Sequence, residues 1–320
     1  MTRPLIAAVV LAVLAGVSLL IGASHVSWDA VFSPGPDDRA VQVLVISRVP
    51  RMFAIMLAGT SLGVAGLLMQ MIARNRFVEP TTAGTAESAS LGLLAATLLA
   101  PGLPVLGKML VATLFALGGT ALFLLVLRRL PLRSALLVPV VGLVLGSIID
   151  SATTFFAYRY DLLQSVNAWT TGDFSTVLRG RYELLWVTLG LTCVAYVAAD
   201  RFTVAGMGET FTTNLGLNYP RIIALGLVIV ALVTAMVVVT VGMIPFLGLI
   251  VPNLVTRLMG DNARRSIPWV AVTGAGFVLL CDIIGRVVRH PYEIPGGTIA
   301  GVIGSVLFLY LLLRRGARVG

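Results

Sequence analysis

Few residues in this chain could do chemistry, and their types and spacing narrow the kinds. Cys193 and Cys281 each sit alone in an apolar run, with no C-x-x-C and no metal-ligand spacing, so they read as small buried hydrophobes. His25 and His290 lie far apart in polar segments and read as solvated side chains. The phosphate cradle G-x-x-x-x-G-K-[ST], the zinc-binding H-E-x-x-H and the nucleophile elbow G-x-S-x-G are absent. Asp150 is the one acid set in the middle of an apolar segment. An ionised group at membrane depth costs roughly 3 kcal/mol, so it must face a cavity or a partner. It reads either as a polar spot or proton site on a pathway, or as an acid held by Ser151, Thr153 or Thr154. A single acid without an intramembrane base argues against a proton-coupled carrier. With no catalytic cluster and no nucleotide site, any transport would draw its energy from a partner or an ion gradient.

The remaining charges suggest contacts, not catalysis. Arg48 and Arg51 are three apart and share a helix face. Asp282 and Arg286 are four apart with the acid first, the favourable order for a helical pair. Between predicted membrane segments, Gly206 and Gly208 precede Glu209, an acid placed for the first turn of a helix. Asn214, Leu215 and Gly216 close that short stretch, with Gly216 as its cap, and Pro220 opens the next segment.

The elements that position these residues must be membrane helices. Of the 320 residues 58% are hydrophobic and 12% charged, where a soluble domain carries about 25% charged. Mean hydropathy is +0.99. The net charge of +9 is scattered in ones and twos between apolar runs, which suits membrane flanks and excludes a nucleic-acid face. Hydropathy places about ten spans, near 4–22, 49–72, 83–100, 107–127, 135–157, 184–199, 222–241, 245–259, 268–285 and 296–313. The first reads as an uncleaved helix, and the longest polar segments are 24–40 and 200–221. Arginine bias puts both termini in the cytoplasm and Arg48, Arg51 and Arg286 outside. Glycines four apart (Gly59 and Gly63, Gly142 and Gly146, Gly297 and Gly301) allow close helix packing. Two stretches look broken: Gly242 to Gly248 around Pro245, with Pro252 a turn later, and Glu293-Ile294-Pro295-Gly296-Gly297, which also reads as a plain loop.

Motifs in order along these segments resemble the FecCD-type permease family of cobalamin and ferric-siderophore ABC importers. Ser47-Arg48-Val49-Pro50-Arg51 with Met69-Gln70 and Arg74-Asn75 resembles its opening signature, and Trp169 to Phe174 its W-x-x-G-x-F. Gly208-Glu209 with Leu215-Gly216-Leu217 resembles its coupling segment. The run from Gly242 to Leu249, with Pro252 and Arg257, resembles G-x-I-x-F-x-G-L-x-x-P-x-x-x-R. Asp282, Arg286 and Glu293 to Gly297 resemble the closing D-x-x-x-R and E-[LI]-P-x-G. The chain departs from the family's N-P-L-A and P-H at Asn75-Arg76-Phe77 and Pro252-Asn253. Its Asn75 to Thr85 run is similar to a subgroup that handles catecholate siderophores such as petrobactin and vibriobactin.

The resemblance implies an all-α integral membrane protein with the type II ABC importer permease architecture, including short broken or re-entrant helices. The whole chain, 1–320, would form one permease domain in a bacterial cytoplasmic (inner) membrane. It implies a second permease subunit, two ATP-binding subunits that hold the ATP, an extracytoplasmic siderophore-binding protein and a ferric siderophore as cargo. The permease would carry no cofactor and no ATPase site of its own. Residues 206–219, with Gly208, Glu209, Asn214, Leu215 and Gly216, would couple to the ATPase. Arg48, Arg51 and Arg286 would dock the binding protein, the alternative being interfacial arginines that snorkel to headgroups. Met69, Gln70, Asp150 and Pro245 are the candidates for lining the route. Cobalamin, haem or another metal chelate are alternative cargoes. An ion-coupled carrier or a membrane enzyme is the reading from other classes.

Overall fold

A computed structural model describes residues 2–21, 42–129 and 137–316. His25, Arg39, the segment 24–40, Arg133 and Arg318 lie outside the described residues. The described chain is helical: α1 (Thr2–Leu20), α2 (Val49–Ile72) entered through a π turn at Leu44–Arg48, α3 (Thr85–Leu99), α4 (Val105–Arg129) and α5 (Leu137–Arg159). Then come α6 (Leu163–Thr170), α7 (Leu184–Val197), α8 (Ala199–Gly206), α9 (Glu209–Asn214) and α10 (Tyr219–Val241). The chain closes with α11 (Leu247–Met259), α12 (Ala263–Val287) and α13 (Gly296–Gly316).

Five elements are long and apolar enough to cross a bilayer: Leu44–Ile72, Val105–Phe123, Val140–Arg159, Tyr219–Val241 and Ala263–Val287. A sixth is the pair α7–α8, bent by 64°. Each of the ten hydropathy segments falls on a helix, yet four of those helices are shorter: Pro4–Leu20, Thr85–Leu99, Leu247–Met259 and Gly296–Tyr310. A helix of about 15 residues reaches about 22 Å against a core of about 30 Å, so length alone does not establish ten spans. The polar segment 200–221 is not one connection. It holds α8 and α9.

α2 is the core of the bundle, buried on nearly every side from Pro50 to Gln70. Its small residues make that possible. A methyl group on Gly59 would sit 2.6 Å from the carbonyl oxygen of Gly274 on α12. Gly66 meets Gly248 of α11 backbone to backbone. Larger side chains at either crossing would push the helices apart. Hydroxyls inside the bundle are satisfied locally: Thr113, Thr120, Thr153 and Thr234 each donate to the carbonyl four residues back.

The break after α10 is closed by backbone pairing. Gly242 (φ +85) ends α10 and Phe246 (φ +63) starts α11. The short α6 returns into the bundle, so that the Met243 amide donates to Thr170 (3.1 Å) and the Asp173 amide to Val241 (2.9 Å). The Gly297 amide then donates to Gly172 (2.7 Å), joining the start of α13. Groups freed by Pro245 and Gly242 thus find protein partners, as a membrane interior requires. The Glu293 to Gly297 stretch is the connection from α12 into α13 at this junction.

Candidate functional site

Two constellations stand at opposite ends of the bundle. The first, here the network end, is built from the tip of α1, the start of α2, the end of α12 and Glu293. A helix leaves its last carbonyls unpaired, with the negative end of its dipole behind them. Arg48 donates from Nη1 to the carbonyls of Leu19 (2.7 Å) and Leu20 (3.1 Å). Arg286 donates from Nη1 to the carbonyls of Ser18 and Ile21 (2.8 Å each) and from Nη2 to Ser18 Oγ (2.9 Å). Two guanidinium groups from distant helices therefore cap α1.

Asp282 lies between Arg51 and Arg286. Its Oδ1 accepts from Arg51 Nη2 (2.7 Å), and its Oδ2 pairs with Arg286 through Nε (2.8 Å) and Nη2. Arg51 Nη1 also donates to Glu293 Oε2 (2.6 Å). Arg48 is 6%, Arg51 9%, Arg286 4% and Asp282 1% exposed. All three arginine side chains are packed inward within this chain. The reason is that α1 carbonyls and two acids of the same chain claim them.

The second constellation, the elbow end, holds the bent α7–α8 pair and α9. Gly208 (φ +113) caps the start of α9, and the Thr212 hydroxyl donates back to its carbonyl (2.6 Å). Glu209 opens α9, Asn214 ends it and Leu215 is its C-cap. Gly216 (φ +76) then turns the chain with its amide on Thr213 (2.9 Å), while the Leu217 amide reaches Thr212 (3.2 Å). Glu209, Leu215 and Gly216 are exposed. Asn218 then caps α10 by accepting from the Arg221 amide (3.1 Å). The ion pairs here stand in solvent: Arg76–Asp261 (2.7 Å) and Arg264–Asp200 (2.6 Å).

The chain belongs to the FecCD transport family. The family matches residues 9–314, nearly the whole chain. It is 49% identical over 309 residues to the petrobactin import system permease protein YclN of Bacillus subtilis (strain 168), covering 97% of each chain. It is 41% identical to the petrobactin permease FatD of Bacillus anthracis, over 98% of this chain and 92% of that one. Identity to the ferric-anguibactin permease FatD of Vibrio anguillarum is 40%, over 94% and 95%. Among solved structures, one described as an inward-facing metal-chelate type ABC transporter superposes with a TM-score of 0.81 at 24% identity, covering 96% and 97%. That likeness establishes the all-α fold.

With the family fixed, the four candidate route residues can be placed. Met69 is 1% and Gln70 6% exposed, packed inside the chain, and Gln70 Nε2 donates to the carbonyls of Gly248 (3.1 Å) and Leu249 (3.3 Å). Gln70 thus braces the break, and it also lines a cleft at the elbow end. Pro245 is half-buried near Gly301. Asp150 lies exposed on α5, and its neighbours do not hold it: Ser151 donates to Ser147 and Thr153 to Ile149.

Sequence reasoning missed three acids. Glu87 sits in the first turn of α3 with its carboxyl against Gly146 of α5, and its Oε2 has no hydrogen-bond partner among the described residues. Asp150 is therefore not the lone acid among the spans. Glu79, in the connection from α2 to α3, is buried and accepts hydrogen bonds from the Thr81 side chain and the backbone amides of Phe246 and Leu249 at the start of α11. Burial pushes its carboxyl up to about 7. Glu293 sits inside the E-I-P-G-G motif, but nothing local announces that Arg51, 242 positions earlier, is its partner.

Proposed function

We propose that this chain is the membrane subunit of an ABC importer that carries a ferric siderophore of the catecholate class into a bacterium, driven by ATP hydrolysed on separate subunits. The observation that carries it is end-to-end similarity to siderophore permeases, 49% identity over 97% of both chains with a petrobactin permease. The chain carries no phosphate-cradling motif, so the ATP would be held by a partner.

In this reading the elbow end faces the cytoplasm, as the arginine bias suggests, and both termini lie on that side. α9 docks in a groove of the ATPase, with Gly208 and Gly216 setting its angle and Glu209 presented on its exposed face. The exposed apolar face of α5, with Leu143, Ile148 and Phe155, meets a second permease subunit and encloses the route, with Asp150 on its wall. The network end faces out toward the binding protein. Arg48, Arg51 and Arg286 serve that docking by fixing the surface around Glu293, whose side chain is 26% exposed and held by Arg51.

The test is uptake by proteoliposomes holding this chain, its ATPase and its partner permease, with the loaded binding protein outside. ATP-dependent accumulation of iron from ferric petrobactin, well above ferric hydroxamate or cobalamin, is expected. Equal transport of cobalamin, or transport without ATP, would overturn the assignment.

A further inference from the structure

A cleft of about 620 Å3 opens at the elbow end between the last turn of α2, the end of α8 and the α11–α12 turn. Leu67 and Met71 form an apolar wall, and Arg74, Arg76, Thr203 and Asn262 a polar one. Asp261 is the one carboxylate in the lining, so the cleft carries a net positive charge. Arg76 gives only Nη2 to Asp261, at 2.7 and 2.8 Å. Asn262 spends its oxygen on the Arg265 amide (3.1 Å), which leaves its amide group as a donor.

Arg74 is the unusual member. It follows the end of α2 with φ +50. Its amide donates to Met71 (3.2 Å) and the Asn75 amide to Gln70 (3.0 Å). That is the helix-ending turn in which glycine is the ordinary residue. A long side chain there stores backbone strain, and such strain gathers at binding sites. The Arg74 guanidinium lies 3.4 Å from where a Gly208 side chain would begin, beside the start of α9. It forms no ion pair among the described residues.

We propose that this cleft binds a phosphate group, with Arg74 as its main contact and Arg76 and Asn262 beside it. The planar fork of arginine suits phosphate oxygens, and basic pockets between helices on the cytoplasmic side suit acidic headgroups. A cationic mouth above an apolar wall fits the headgroup of an anionic phospholipid, and a soluble phosphate would meet the same donors. The placement in the inner leaflet rests on the orientation proposed above. Binding itself does not depend on what the chain transports.

The experiment uses the assembled transporter in nanodiscs of phosphatidylcholine, with or without phosphatidylglycerol, and counts retained lipid by native mass spectrometry. The wild type is expected to retain phosphatidylglycerol. Arg74→Gly is the informative variant, because it relieves the strained turn and keeps the fold. Retention should fall about tenfold while thermal stability holds or rises. Arg74→Lys should fall between, Asp261→Asn should retain more, and Arg221→Gln, outside the cleft, should match the wild type. Binding of inorganic phosphate in pure phosphatidylcholine discs, lost in Arg74→Gly, would support the site with a soluble source. Unchanged retention in Arg74→Gly, or a wild type that binds neither phosphatidylglycerol nor phosphate, would overturn the proposal.

Discussion

At the network end, Arg48, Arg51, Asp282 and Arg286 are packed out of solvent and their hydrogen bonds go to one another, to Glu293 and to the tip of α1. At the elbow end the ion pairs Arg76–Asp261 and Arg264–Asp200 stand in water, with side chains 39% to 69% exposed. The same residue types therefore do different things. A buried pair is costly to form and much more costly to half-remove, because the remaining charge has no solvent. An exposed pair adds little and leaves its members open to a partner. One end of the chain is held shut by charge, and the other offers charge outward.

The strongest way to break this contrast is Asp282→Asn, which leaves Arg51 and Arg286 facing one another. A loss of about 3–5 kcal/mol is expected, read as a large fall in melting temperature in detergent. A small shift would mean that water reaches the network.

Glu79 gives the next effect. Its carboxyl is raised from 4.5 to about 7 by burial, so the folded chain keeps a proton that the unfolded chain releases. The stability this group contributes is full below about pH 4.5 and is lost as pH rises through about 7, a change on the order of 3 kcal/mol. Glu79→Gln should flatten that slope in thermal scans taken across this range. A parallel slope in the variant would assign the pH dependence elsewhere.

Smaller still is Ser18→Ala, which removes one bond to Arg286 but leaves the carbonyl contacts, and about 1 kcal/mol is expected. Smallest is Asp200→Ala at the elbow end, which should leave the melting temperature unchanged. If Asp200→Ala matched Asp282→Asn, the contrast between the two ends would fail.

The helices were legible in the sequence because lipid leaves so few options. Long apolar runs, the Pro50 and Pro220 starts and the Gly216 stop all report local physics. The i,i+4 spacing that puts Asp282 beside Arg286 is equally local. What stayed hidden was long-range. Arg51 meets Glu293 across 242 positions and Gln70 meets the Gly248 carbonyl across 178, and no periodicity encodes either contact. Direction was hidden too. Arg48 and Arg51 share a face, but only the packed bundle shows that the face turns inward. Glu87 was overlooked because it lies close to the polar connection before α3 and reads as part of it.

The capping of α1 has a consequence for how the chain is made. The residues that close its last turn include Arg286, 268 positions downstream of Ser18. During synthesis Arg48 reaches the Leu19 and Leu20 carbonyls early, but the Ser18 and Ile21 carbonyls stay without Arg286 until α12 arrives. The end of α1 is thus closed in two stages, and α12 acts as its clasp. Chains truncated before residue 263 should insert α1 yet leave its end open to proteases, whereas chains extending past Glu293 should protect it.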